Sequence, residues 1–214
     1  MSIKKFLPVF AVLTLLVAGG FAVNKALHSD EALASKTTPT KAGTINKPTA
    51  STQTTPTKAT PTNMRQPINW RLSSETIPYP NVAQHPDMWI HVSLEKQRVY
   101  LMDGTNVLYT MYASTGEVAK GWGTPKGTYH IQAERGHYFY APNVNEGAYN
   151  WVSFLDHGVY LFHSVPFDKA GHVIPEAAKA QGTAESSHGC VHLTMADSEW
   201  FVQNIKYNTK VVID

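Results

Sequence analysis

The chain of 214 residues carries a formal net charge of +2 and a single cysteine, Cys190. One cysteine excludes an intrachain disulfide, and its distance from the N-terminus excludes a lipid-modified cysteine at a signal cleavage site. The sequence contains no glycine-rich phosphate loop and no internal repeat, and we expect neither a nucleic acid partner nor a cofactor.

The N-terminal segment has the pattern of an export signal or a membrane anchor. Lys4 and Lys5 precede an uncharged, mostly apolar run of 18 residues, from Phe6 to Val23. This length lies between a long signal-peptide core and a short membrane span. Small residues at 20–22 and 32–34 offer cleavage sites, but the run also suits an uncleaved anchor with the lysines inside. We assign residues 1–34 to this segment and expect the rest of the chain to be extracytoplasmic, either membrane-anchored or secreted.

Residues 35–66 are predicted to form a disordered linker. They are rich in Thr, Pro, Lys and Ala, and too few are large and apolar to offset the entropy of ordering them. Between Ala32 and Ser74 the charged residues are all basic, whereas from Asp87 onward nine Lys and Arg stand against thirteen Asp and Glu. A basic tether suits an anionic lipid surface or polymer, and a plain soluble linker is the alternative. Residues 67–86 are predicted to be an extended lead-in segment.

Residues 87–214 are numerous enough for one domain with its own core. A hairpin turn is predicted at Asp103 to Asn106, a short helix near Glu176 to Ala180, and a helix from Thr194 to about Asn204. The predicted strands are 89–94, 98–102, 107–113, 128–132, 149–155, 159–164 and 210–213. Many short strands with one substantial helix predict a mostly β fold, a sandwich or barrel-like core with a short C-terminal helix.

Cys190 lies in the string Ser187-His188-Gly189-Cys190, which suggests a nucleophile. Thiol attack on a carbonyl needs a base and donors for the oxyanion. His163 ends a predicted strand and is a candidate base. Gly189 allows a tight backbone path that converges amides on one oxygen, and the Ser187 hydroxyl could hold a histidine tautomer. The alternative is a small buried thiol without chemistry.

A zinc site is the competing chemistry. On a strand, the alternating residues His188, Cys190 and His192 would share one face, and His163 could complete a tetrahedral set. A glycine in the middle of this segment favours a turn instead, so we expect no metal.

Other residues whose side chains could bind or react are expected to have structural roles. The remaining histidines that attract attention are expected to be surface or core residues: His91, His130, His137, His157 and His172. Aromatic residues could line a groove, although core or loop packing is the expected role; these are Tyr138, Phe139, Tyr140, Tyr149 and Trp151. Glu117, Glu134 and Asp156 form no carboxylate pair, which argues against a glycosidase.

Three segments resemble the L,D-transpeptidase catalytic domain family (YkuD type). They are Leu161-Phe162-His163-Ser164, Ser187 to Leu193 and Thr124 to Tyr129. The resemblance covers about Trp89 to Asp214, and the anchor, tether and domain order is similar to that of Gram-positive cell-wall enzymes. It implies a β-sandwich-like fold, peptidoglycan as partner, and cysteine acyl transfer on stem peptides with release of D-alanine.

The resemblance also implies roles for individual residues. Cys190 would be the nucleophile and His163 the proton donor and acceptor, with Ser187 in support. His188 and Gly189 would shape the oxyanion pocket with Cys190. His192, Trp151 and Tyr149 are candidate substrate contacts.

Two departures from the family pattern leave alternatives open. His192 stands where arginine or asparagine is common, which would make the charge there pH-dependent. Ser164-Val165 replaces the common Gly-Thr, and the connection to Cys190 is longer than usual, so that an extra loop could reshape the groove. An L,D-carboxypeptidase and a catalytically silent wall-binding module are the rival interpretations.

Overall fold

The computed structural model describes residues 63–214. The predicted signal or anchor segment lies outside them, as does nearly all of the predicted linker. Between residues 63 and 214, none of the helices has the length and apolar character needed to cross a membrane.

In residues 63–214, nine strands form one sheet in the order β4-β9-β1-β2-β3-β8-β7-β6-β5. Their bounds are β1 (Trp89–Ser93), β2 (Arg98–Asp103), β3 (Asn106–Ser114), β4 (Gly127–His130), β5 (Arg135–Ala141), β6 (Glu146–Leu155), β7 (Tyr160–Ser164), β8 (Val191–Leu193) and β9 (Lys210–Ile213). Most neighbours are antiparallel, but β1 pairs with β9 and β7 with β8 in parallel.

The sheet curls around one hydrophobic core. Strand β3 pairs with β2 on one side and with β8 on the other, and so joins the two halves. Ile90 and Leu101 from one half are buried in the same cluster as Phe154 and Phe162 from the other. The predicted mostly β, sandwich-like fold with a C-terminal helix is confirmed, with the two layers belonging to one continuous sheet.

The described part of the chain also contains two α-helices, α1 (Pro175–Ala180) and α2 (Met195–Asn204). The Thr194 side chain caps α2 by accepting a hydrogen bond from the Asp197 amide at 3.1 Å, as the sequence predicts. Phe201 of α2 packs on Phe162 of β7 with ring centroids 4.7 Å apart. Helix α2 thereby packs on β7, the strand that also carries His163.

Most predicted strands are present within one or two residues, and two were missed. The predicted hairpin turn is confirmed, since β2 ends at Asp103 and β3 begins at Asn106. Strand β5 was missed because its sequence, Arg135 to Ala141, does not alternate apolar and polar residues and much of it stays partly exposed. Strand β8 was missed because three residues are too short to show a period.

Residues 63–86 are bound to the domain rather than merely leading into it. Met64 forms a β-bridge with Glu75, so the last residues of the predicted linker, 63–66, take part in the fold. Ser74 donates hydrogen bonds from its amide and its hydroxyl to the buried Asp197 carboxylate, and Tyr79 donates a third at 2.7 Å. The Tyr79 ring also stacks on Trp200 at 4.9 Å. This segment, called the N-terminal strap below, therefore belongs to the fold.

Candidate active site

The parallel pair β7 and β8 brings the two principal candidates together. His163 on β7 lies opposite His192 on β8, and Phe162 lies opposite Val191. Cys190 directly precedes β8, so its position is set by the same pairing. The candidate base on β7 and the candidate nucleophile just before β8, 27 positions apart in the sequence, are thus positioned by one strand pair.

Cys190 and His163 line one cavity of about 300 Å³, called the main cavity. Apolar side chains form much of its wall, including Phe139, Val144, Trp151, Val159 and Leu161. Of the described residues lining it, the ionisable ones are Glu146, His163, His188, Cys190 and His192. An apolar cavity with a few convergent polar groups is the usual form of a small-ligand or active site.

His163 is buried and held in one tautomer. Its Nδ1 atom lies 2.7 Å from the carbonyl oxygen of Ser164, which can only accept, so Nδ1 carries the proton. Nε2 therefore has a free lone pair, as a general base requires. Burial lowers the pKa of His163 to about 4, which keeps the imidazole neutral near pH 7.

Cys190 is a free, partly buried thiol. Burial, with a smaller contribution from the Glu146 charge, raises the pKa of this thiol to about 11, although a backbone hydrogen bond with Leu161 acts to lower it. Its Sγ atom lies 3.7 Å from the carbonyl oxygen of Val159. The main cavity therefore holds a neutral thiol and a neutral imidazole.

Ser187 shapes the loop that carries the cysteine. Its hydroxyl donates to the carbonyl oxygen of Cys190 at 2.6 Å and accepts from the Gly189 amide at 3.1 Å. The predicted contact of this hydroxyl with a histidine is not the one observed, because Ser164 fixes the His163 tautomer instead. The Gly189 amide, predicted to serve the oxyanion, is turned to Ser187, which leaves the amides of His188 and Cys190 as candidates.

Gly189 occupies a position that only glycine fits well. Its φ angle is +116°, in the region that residues with a Cβ avoid. A Cβ built there would approach the Tyr160 ring to 2.8 Å. Backbone conformation and close packing together explain the glycine of the Ser-His-Gly-Cys string.

His188 forms the boundary of the main cavity with two residues that sequence reasoning missed. Its ring packs on Trp122 at 4.2 Å between centroids, and its Nδ1 lies 3.6 Å from Oε2 of Glu146. Beyond this boundary lies a second cavity of about 460 Å³, called the side cleft. Neither Trp122 nor Glu146 has a local sequence signal, since both come from loop or strand-end positions far from the motif.

The structure corrects the expectation that His192 carries a pH-dependent charge. Its side chain is 1% exposed, and its ring lies 4.8 Å from that of His163. Burial, together with the His163 and His188 charges, lowers the pKa of His192 well below its usual value. The imidazole is neutral at physiological pH and lines the inner wall of the main cavity.

The two aromatic candidates for substrate contact are separated. Trp151 lines the main cavity and packs edge-on against Phe139 at 6.3 Å. Tyr149 does not line it; it packs on Phe167 and borders a shallow cavity beside α2. The histidines interpreted as structural also lie away from the main cavity, and three of them pair with carboxylates at the surface: His91, His157 and His172.

The part of the chain that the structure describes contains no set of ligands for the alternative zinc site. Across residues 63–214, no group of three or more His, Cys, Asp or Glu side chains is placed to hold a metal ion. His188 turns toward Trp122 and Glu146, and Nδ1 of His163 is used by Ser164. The alternating residues of the motif therefore do not converge on one point.

The chain is similar to several known proteins. A Bacillus subtilis (strain 168) protein named "Putative L,D-transpeptidase YciB" is 44% identical over 136 residues, which cover 63% of this chain and 69% of the relative. An L,D-transpeptidase structure from Mycobacterium smegmatis matches with a TM-score of 0.49 at 18% identity, over 60% of this chain and 58% of that one. L,D-transpeptidase 3 from Mycobacterium tuberculosis, in complex with a faropenem-derived adduct, matches with a TM-score of 0.46 at 22% identity, over 60% of each chain.

The family assignment rests on the sequence match. Residues 87–213, more than half of the chain, match the profile of the YkuD L,D-transpeptidase catalytic domain. That range contains every candidate site residue described above and begins just after the N-terminal strap. The chain belongs to the L,D-transpeptidase catalytic domain family.

Proposed function

We propose that the protein is a cysteine L,D-transpeptidase that cross-links peptidoglycan stem peptides through a thioester on Cys190. The observation that carries the proposal is the arrangement of the pair. Cys190 and His163 line one mostly apolar cavity, and the Ser164 carbonyl holds Nδ1 of His163 so that Nε2 is the free base.

The first half-reaction forms the acyl-enzyme. Nε2 of His163 takes the Cys190 proton as Sγ attacks the carbonyl carbon between the third and fourth stem residues. The carbon–nitrogen bond then breaks, and the leaving D-alanine takes the proton from Nε2. Because the resting thiol and imidazole are both neutral, the proton moves with the attack and not before it.

The oxyanion of the tetrahedral intermediate needs donors that are already in place. The candidates are the His188 and Cys190 amides, in a loop fixed by the two Ser187 hydrogen bonds. Removing one such donor in other acyl-transfer enzymes costs about 10²–10³ in rate. Ser187 thus acts as a positioning residue, since its hydroxyl contacts the loop backbone.

The second half-reaction decides between transferase and hydrolase. The amine of a second stem attacks the thioester, the carbon–sulfur bond breaks, and the thiol is restored by a proton from the amine. Capture by water would release a tripeptide instead and make the enzyme an L,D-carboxypeptidase. Product analysis with and without an acceptor amine separates the two, because tripeptide as the sole product would contradict the transferase assignment.

The proposal also includes a site of action outside the cytoplasm, with peptidoglycan as the partner. Its support is the sequence pattern of two lysines before the apolar run from Phe6 to Val23. Mass analysis of the N-terminus of the protein purified from cells distinguishes an uncleaved anchor from a cleaved signal. An intact N-terminus in the soluble cytoplasmic fraction would contradict this localisation.

The deciding experiment is intact-mass analysis of the full chain after incubation with a disaccharide-tetrapeptide and, separately, with a carbapenem. We expect a covalent adduct with the carbapenem and release of D-alanine from the tetrapeptide. Neither should occur in a Cys190→Ala variant of equal thermal stability. A folded chain with a free thiol that forms no adduct and releases no D-alanine would favour a silent wall-binding module.

A further inference from the structure

Glu146 is placed at the boundary between two cavities. It begins strand β6 and lines both the main cavity, with Cys190, and the side cleft. Val144 and His188 are the other residues that line both. Its side chain is 23% exposed, so the carboxylate is largely desolvated but still open to a ligand.

The carboxylate has little compensation for this burial. Among residues 63–214, its ion-pair contact is Nδ1 of His188 at 3.6 Å, longer than a good charge-assisted hydrogen bond. Burial raises the pKa of Glu146, and the contact with His188 lowers it. A partly buried carboxylate with one long contact retains acceptor capacity for a cationic group.

Glu146 is the negatively charged side chain of the main cavity. Among the described residues, no other carboxylate and no lysine or arginine lines this cavity. The other polar side chains there include His163 and His192, which burial keeps neutral. A ligand group that complements this cavity is therefore positively charged.

The side cleft gives a second approach to the same carboxylate. It runs between the loop that carries Trp122 and the segment between β7 and β8, which contributes Ile174, Ala177 and Ala180. That segment is the long connection noted in the sequence, and it forms a wall of this cleft. A molecule in the side cleft meets Glu146 and His188 before it reaches Cys190.

We propose that Glu146 is a specificity-determining residue that receives the ammonium group of the acceptor amine, an inference that rests on the proposed function. The acceptor arrives as R–NH₃⁺ and pairs with the Glu146 carboxylate. It then loses one proton to solvent, and its nitrogen attacks the thioester carbon. The amide bond forms, the carbon–sulfur bond breaks, and the sulfur regains a proton taken from the attacking nitrogen through His163.

The test compares two acceptors of different charge on the full chain, with a disaccharide-tetrapeptide as donor. Nα-acetyl-lysinamide supplies a primary ammonium, and hydroxylamine supplies a nucleophile that is neutral at pH 7.5. In Glu146→Gln we expect the KM for the cationic acceptor to rise about tenfold, as for loss of a charge-assisted hydrogen bond. The KM for hydroxylamine should change less than about twofold, and it is the internal reference, because any effect of the Glu146 charge on acylation of Cys190 is shared by both acceptors.

Two further variants separate a local contact from general charge and from misfolding. Glu146→Asp keeps the carboxylate and should recover part of the affinity for the cationic acceptor. Glu176→Gln removes the same charge from an exposed position at the side cleft, on α1. An equal rise in KM in Glu176→Gln would overturn the assignment of Glu146, because it would indicate a diffuse potential.

The remaining outcomes are also decisive. An unchanged KM for Nα-acetyl-lysinamide in Glu146→Gln, with D-alanine release intact, would overturn this inference and leave the proposed function standing. If the unsubstituted chain released no D-alanine from the tetrapeptide, the proposed function itself would be overturned. A Glu146→Gln protein whose acyl-enzyme is still captured by hydroxylamine is folded, so its KM for Nα-acetyl-lysinamide can be interpreted.

Discussion

The imidazole rings of His163 and His192 lie 4.8 Å apart on neighbouring parallel strands, with neither ring more than 4% exposed. Two buried imidazoles at this distance cannot readily both be protonated, since each positive charge would oppose the other. The groups that face His163 are therefore expected to keep it neutral: His192 across the strand pair and Phe139, which packs edge-on at 5.4 Å.

The pH dependence of acylation should reflect this. Because the pKa of His163 is lowered to about 4, the neutral base is present at all pH values above it. We expect the rate of carbapenem adduct formation to rise through about pH 4 and to stay level between pH 5 and 9. Stopped-flow measurement across this range is the check. A midpoint near 6.5, as for an exposed histidine, would show that the buried environment does not control the base.

Removal of the Ser187 hydroxyl should weaken both folding and acylation. Ser187→Ala leaves the carbonyl of Cys190 and the amide of Gly189 without their observed partner, at a cost of about 1–3 kcal/mol. We expect a lower free energy of unfolding in urea and slower carbapenem acylation. Thr183→Ala, which removes an exposed hydroxyl from the segment before the motif, is the control and should change stability by less than about 0.5 kcal/mol. Similar losses in the two variants would argue against a special role for the Ser187 contacts.

Gly189→Ala should cost more than a glycine replacement at an open position. Both Gly189 and Gly171 have positive φ angles, +116° and +83°. A Cβ at Gly171 meets nothing within 4 Å, whereas a Cβ at Gly189 meets the Tyr160 ring. The difference in free energy of unfolding between the two alanine variants should be about 1–3 kcal/mol, the usual cost of overpacking. Equal values from urea titrations would mean that Tyr160 moves aside freely.

Asp197 should make stability fall as pH rises from about 4 to about 6. Burial raises the pKa of this carboxyl to about 6, against an ordinary value of 3.8, although hydrogen bonds from Ser74 and Tyr79 lower it. In this window the folded chain binds more protons than the unfolded chain, so stability decreases with pH. The decrease should be roughly 3 kcal/mol, at about 1.4 kcal/mol per pKa unit. Asp197→Asn should lose this contribution; an identical pH slope in the two proteins would contradict the assignment.

Candidate residues are easier to identify from the sequence than the contacts that they make in the fold. The Ser-His-Gly-Cys string and the strand ending in His163 were readable because a motif and an apolar run are local patterns. The partner of the Ser187 hydroxyl was not readable, because it depends on a left-handed turn at Gly189. Glu146 and Trp122 were not predicted for a related reason. Strand pairing and loop packing bring them close to His188, and no local sequence pattern indicates these long-range contacts.

Burial was the other quantity that pattern reasoning could not supply. His192 was expected to be a titratable contact because it stands two residues after Cys190, where the family commonly has arginine or asparagine. Pairing of β8 between β3 and β7 instead places it inside the domain. Strand β5 was overlooked because an edge strand with partly exposed aromatic residues lacks the alternation that marks a half-buried strand. The N-terminal strap was read as a lead-in because its few apolar residues are scattered, and it is secured mainly by polar contacts with Asp197.

The N-terminal strap also determines how a mechanical force on the chain would be transmitted to the domain. A load that enters along the backbone at Asn63 meets the Met64–Glu75 bridge and then the hydrogen bonds of Ser74 and Tyr79 to Asp197, at the start of α2. Asp197 stands four residues after Leu193, the last residue of β8, so the strap is bound directly behind the strand that follows Cys190. A force applied at residue 63 would therefore reach the Cys190 loop through one short stretch of chain.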